Sequence, residues 1–131
     1  MIGLDTNVLV RYLVRDDPAQ SRRARVYLES TCTNASPGFV SHVVLSELCW
    51  VLRAAYRYGR AAVAAVIDAL LRTPQLRLED EALVAAALAL YRGSDADFAD
   101  CLIGLAHKNA GCETTVTFDA RAAILAEFSA L

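Results

Sequence analysis

The chain is poor in chain breakers. It has six Gly and three Pro in 131 residues, which excludes collagen-like and proline-rich classes. Lysine is almost missing: twelve of the thirteen bases are Arg, and Lys108 is the exception. No apolar run reaches the roughly 18 residues that a membrane span requires, because an Arg, Asp or Glu interrupts each one. The opening MIGLDTNVLV carries an acid at position 5 and no basic stretch, so no signal peptide and a cytoplasmic location are expected. The four cysteines, Cys32, Cys49, Cys101 and Cys112, form no C-x-x-C pair, and neither His42 nor His107 adjoins one of them. That excludes a zinc site of close-spaced ligands. Free thiols, buried as small hydrophobes in a reducing compartment, are expected instead.

What is abundant is apolar. Hydrophobic residues make up 56% and charged residues 21% of the sequence, against roughly 45–50% apolar in soluble domains. Intrinsic disorder is excluded. The length predicts one domain over 1–131, able to bury roughly two-thirds of its unfolded surface. The apolar excess suggests a face covered by a partner. Net charge is −2 but uneven. Residues 1–60 hold eight Arg and five acids, whereas residues 61–131 hold five bases and ten acids.

Strand-like and helix-like segments alternate. Strands are predicted at Met1–Leu4, Phe39–Ser41, Leu76–Leu78, Thr114–Thr117 and Phe128–Leu131. Helices are predicted at Val8–Arg15, Pro18 to about Ser30 (capped by Asp17), Val43–Arg57 (ending at Gly59, with Trp50 on the apolar face), Arg60–Arg72, Asp80–Tyr91, Phe98–Asn109 and Ala120–Ala126. This alternation implies an α/β fold with a parallel sheet and right-handed crossovers. Ligands of such folds bind beyond the carboxyl ends of the strands.

Acids gather at those places. Asp5 follows the first strand in LDTN, and Asp119 follows the fourth in TVTFD. Glu47 lies in the first turns of the helix SHVVLSELCWVL. Asp97 and Asp100 open the helix of DADFADCLIGLAHK, three residues apart and so on one face. Capping or turn roles account for Asp5, Asp97 and Asp119 equally well. Glu47 and Asp100 sit among apolar neighbours with no Lys nearby, where an unpaired carboxylate is costly. Carboxylates about 5 Å apart repel by roughly 3 kcal/mol per pair at an effective dielectric of about 20. Either some are protonated or a divalent cation neutralises them, and an all-oxygen set suits Mg²⁺ or Mn²⁺ rather than Zn²⁺.

The segments LDTNVLVRYLVRDD, LSELCWVL, DFADCLIGLAHKNAGC and TVTFDARA, in this order and spacing, resemble the PIN-domain family. They resemble most the VapC-type toxins of bacterial type II toxin–antitoxin modules. The resemblance implies a three-layer α/β/α fold with a central, mainly parallel sheet of four or five strands. It also implies a Mg²⁺- or Mn²⁺-dependent endoribonuclease that hydrolyses RNA phosphodiester bonds with an activated water. Matched by motif, Asp5, Glu47, Asp100 and Asp119 are the catalytic and metal-binding acids, with Asp97 as an outer ligand or cap. Asn7 and Thr117 resemble the polar residues that orient them. The family's T-x-N-x-x-D ending is replaced here by Thr117–Phe118–Asp119–Ala120–Arg121. Arg11 and Arg15, one turn apart after Asp5, are the candidates for contact with RNA or a partner. Implied partners are an RNA substrate, a cognate antitoxin that inserts a basic side chain among the acids, and a second copy of the chain. A catalytically silent PIN-like binding module is the alternative. A dehalogenase-type phosphohydrolase would need D-x-D, where Asn7 stands, and a receiver domain would need paired acids and a Lys after a late strand.

Overall fold

The local chemistry of the helix starts fixes most of the architecture. In a computed structural model describing Met1–Leu131, Asp17 accepts a hydrogen bond from the Gln20 N–H (3.1 Å) with Pro18 as the next residue. Ser41 accepts from the Val44 N–H (3.2 Å), and Asp80 from the Leu83 N–H (3.2 Å). Each cap satisfies a donor that a helix terminus otherwise leaves open.

The chain forms two compact units, Met1–Glu79 and Asp80–Leu131. The first contains β1 (Ile2–Gly3), α1 (Thr6–Val14), α2 (Pro18–Thr31), β2 (Gly38–Val40), α3 (His42–Ala54), α4 (Arg60–Leu71) and β3 (Leu76–Leu78). The strands lie in the order β1-β2-β3, all parallel, with Gly3 opposite Phe39 and Val40 opposite Leu78. Leu9 of α1, Leu45, Leu48 and Leu52 of α3, and Val63 and Ile67 of α4 are fully buried. Gly38 is required by packing: a Cβ there would come within 2.7 Å of Leu4 Cδ1.

The second unit contains α5 (Glu81–Arg92), α6 (Phe98–Asn109), β4 (Thr115–Thr117), a 3₁₀ turn (Ala122–Ile124) and β5 (Phe128–Ala130). Strands β4 and β5 pair in parallel, Val116 opposite Ser129. Helices α5 and α6 pack together, and Tyr91 meets Phe98 edge-on with ring centroids 5.9 Å apart. Gly104 faces Phe128, where a Cβ would lie 2.5 Å from the ring.

The α/β order and the parallel pairing agree with expectation. The first unit carries the three-stranded parallel ladder and the second the two-stranded one. Several details differ. The third helix stops at Ala54, not Arg57: Arg57 turns left-handed (φ 58°) and the Tyr58 N–H reaches back to the Leu52 carbonyl (2.9 Å). Gly59 precedes the next helix instead of ending this one. Residues 120–126 give only the 3₁₀ turn. Cys32, Cys49 and Cys101 are buried free thiols, but Cys112 is exposed. Burial pushes the Cys49 thiol up to about 12, so it is no nucleophile near neutrality.

Candidate active site

Chain direction puts acids just past the strands. In the first unit the buried Leu4 follows β1, and Asp5 comes next, exposed, as the N-cap of α1. Its Oδ1 accepts from the Thr6 N–H at 2.8 Å. Asn7, one residue beyond Thr6, is exposed and bonds to no carboxylate. Glu47 makes no hydrogen bond or ion pair and is exposed. The apolar neighbours that seemed to enclose it point elsewhere. Leu45, Leu48, Cys49 and Leu52 form the buried face of α3. Val43, Glu47 and Trp50 share the opposite face, four and three residues apart. Trp50 is therefore 68% exposed, not on the apolar face.

Arg11 does not project freely. Its Nε donates to Gln20 Oε1 (2.6 Å), and its Nη1 donates to Asp16 Oδ1 (3.1 Å) and to the Tyr56 hydroxyl (3.3 Å). Tyr56 in turn donates to Asp16 Oδ2 at 2.8 Å. The Tyr56 bond holds the Asp16 carboxyl below its ordinary range and the Arg11 guanidinium above its own. Arg15 lies past the end of α1 in a left-handed conformation (φ 60°), so it is not on the helix face beside Arg11.

One acid pattern escaped the sequence reading. Glu79 follows β3 as Asp5 follows β1, and the run LRLED carried the same signal of an acid after a strand. Its Oε1 accepts from the His42 N–H (2.9 Å), and His42 Nε2–H donates to the Glu79 carbonyl (2.6 Å). The pair ties the carboxyl ends of β2 and β3 together.

In the second unit Asp97 and Asp119 lie within electrostatic reach of Asp100. Asp97 stands at the N-cap of α6, yet its side chain makes no capping hydrogen bond. Asp100, one turn on, is half-buried. Its carboxyl is held above the usual carboxylate range, first by loss of water and then by the negative charges of Asp119 and Asp97. Asp119 lies two residues past β4. Its Oδ1 accepts from the N–H groups of Arg121 (2.8 Å) and Ala122 (3.0 Å), and its own N–H donates to Thr117 Oγ1 (3.0 Å). Thr117 thus holds the Asp119 backbone, and the turn built by the carboxylate launches the 3₁₀ segment.

Crowded carboxylates without a cation offer only oxygen donors, which fits a hard divalent ion by donor chemistry. As they stand, no three His, Cys, Asp or Glu side chains are gathered closely enough to hold one.

The chain thus combines α/β order and parallel strands with acids following β1, β3 and β4. The PIN domain family model matches residues 2–128, so the chain belongs to the PIN-domain family. It is also similar to a VapC ribonuclease of Aquifex aeolicus (strain VF5), with 25% identity over 118 residues, which is 90% of this chain and 87% of that protein.

Proposed function

We infer that this chain is an endoribonuclease toxin of the VapC type that cuts RNA phosphodiester bonds with the help of a carboxylate-held Mg²⁺ or Mn²⁺. The observation that carries the reading is the half-buried Asp100, whose carboxyl is held back from ionising first by loss of water and then by the negative charges of Asp119 and Asp97. The PIN-domain match over nearly the whole chain and the similarity to a VapC ribonuclease support it.

In this reading Asp5, Glu47, Asp100 and Asp119 are the ligands and catalytic acids, and Asp97 adds charge beside Asp100. The ion, when bound, neutralises these carboxylates and polarises a phosphoryl oxygen. The residues do the positioning. The Thr6 N–H fixes one Asp5 oxygen, and Thr117 with the 121–122 amides fixes Asp119. Glu47, with no internal partner, keeps both oxygens available. The chain works in the cytoplasm, as a homodimer, and is inhibited by an antitoxin whose basic side chain takes the place of the cation's charge.

A binding-only reading has one observation in its favour: Asp5 and Asp119 already each spend an oxygen on backbone amides. Mapping of cleavage sites on total RNA in Mg²⁺ decides between the two. Wild type is expected to leave new 5′-phosphate ends, and Asp5→Asn is expected to leave none while melting like wild type. Undiminished cleavage by Asp5→Asn would sink the assignment.

A further inference from the structure

Beside β1 the first unit has an open cleft of about 700 Å³, within the roughly 300–1,000 Å³ of small-ligand sites. Ile2 and Gly3 of β1, Asn7 and Val8 of α1, and Arg23 and Tyr27 of α2 line it, and no Asp or Glu does. Leu4 also lines it, so the lining brackets Asp5 in the sequence and the cleft reaches the carboxyl end of β1. Gly3 leaves its side open, since a Cβ there would meet nothing within 4 Å.

Three polar groups of this cleft have no internal task. Arg23 has no ion pair or hydrogen bond, and neither the Asn7 amide nor the Tyr27 hydroxyl is bonded. Arg11 and Gln20 also line the cleft, but they hold each other, and Asp16 answers the Arg11 charge. They form a fixed wall, and Arg23 is the unanswered cation.

A guanidinium without a carboxylate suits a phosphate. A half-exposed tyrosine ring suits the face of a base. An unbonded amide suits a sugar hydroxyl or base edge. Ile2, Leu4, Val8 and Ala24 supply the apolar part of the lining. We propose that this cleft holds a nucleotide of single-stranded RNA, its phosphate on Arg23 and its base on Tyr27. The proposal rests on the nuclease reading above and adds the path by which the strand approaches Asp5.

The test is fluorescence anisotropy of a labelled ten-nucleotide oligouridylate against the full chain, in EDTA so that the strand stays whole. Arg23→Ala and Tyr27→Ala are each expected to weaken binding about tenfold. Arg23→Ala also lowers the slope of log affinity against log salt by about 0.7. Tyr27→Phe retains the affinity. Arg22→Ala, on an exposed neighbour outside the cleft, changes it less than about twofold. Unlabelled uridine 5′-monophosphate displaces the probe. Wild-type affinity in both alanine variants would overturn the cleft, and cleavage of the same oligonucleotide by wild type would then leave the nuclease reading standing. Displacement by a ten-residue glutamate peptide but not by the nucleotide would overturn it in favour of a peptide groove. An absence of any binding to wild type, with no cleavage, would overturn both.

Discussion

Asp100 is harder to ionise than an isolated aspartate because part of its hydration is gone and because Asp119 and Asp97 are negative neighbours. A carboxyl whose pKa is raised by folding favours the protonated form of the folded state. Its contribution is therefore neutral at low pH, and stability is lost as pH rises from the ordinary carboxylate value through the raised one. Asp100→Asn removes that loss. In metal-free buffer its melting temperature should match wild type at low pH and exceed it above the raised value, by an amount worth less than about 1 kcal/mol because solvent screens the group. Thermal melts of both proteins across the acidic range check this, and a lower melting temperature for the variant at neutral pH would contradict it. At this scale the sequence was informative where an acid follows a strand, as at Asp5 and Asp119. It misled at Glu47. Lying between Leu45 and Leu48 in sequence is not lying among them in space, because successive helical residues are about 100° apart. The same arithmetic, applied to Val43, Glu47 and Trp50, puts all three on the outward face. The Tyr56 bond of Arg11 had no local signal, since Tyr56 is 45 residues away.

Elements depend on close approaches that a hydrophobic pattern does not reveal. Helix α6 is polar at its start and apolar through Cys101 and Leu102, and its position was legible to the residue. The role of Gly104 was not, because it concerns a ring from β5. Gly104→Ala drives a methyl group into Phe128. The expected cost is about 1–3 kcal/mol of overpacking, less the small gain in helix propensity, read by urea unfolding. Gly104→Ala combined with Phe128→Leu should recover part of it, and strict additivity of the two losses would contradict the contact. The third helix shows the converse. Gly59 looked like its terminator, yet Arg57 takes the left-handed position. A Gly marks a permissive backbone, and the Leu52 carbonyl found its donor two residues before the glycine's own helix begins.

For the whole molecule, the strand and helix order was readable because each element declares itself locally through periodicity and caps. Strand pairing is non-local, and the division into a three-stranded and a two-stranded ladder had no local signal. The net charge of −2 conceals a similar division. The five candidate acids are a third of the fifteen, and three of them belong to the second unit, while the arginines concentrate before residue 61. The apolar excess has visible outlets in Val43, Trp50, Phe118 and Ile124, each more than two-thirds exposed, which suits a chain that meets partners. The most direct test of the account is the rate at which the purified chain cuts one RNA oligonucleotide in Mn²⁺, in excess EDTA, and as Asp100→Asn in Mn²⁺. Cleavage is expected in the first case and at least a hundredfold less in the other two, on the order of the loss when a charge-stabilising group is removed. Equal rates in all three would contradict it.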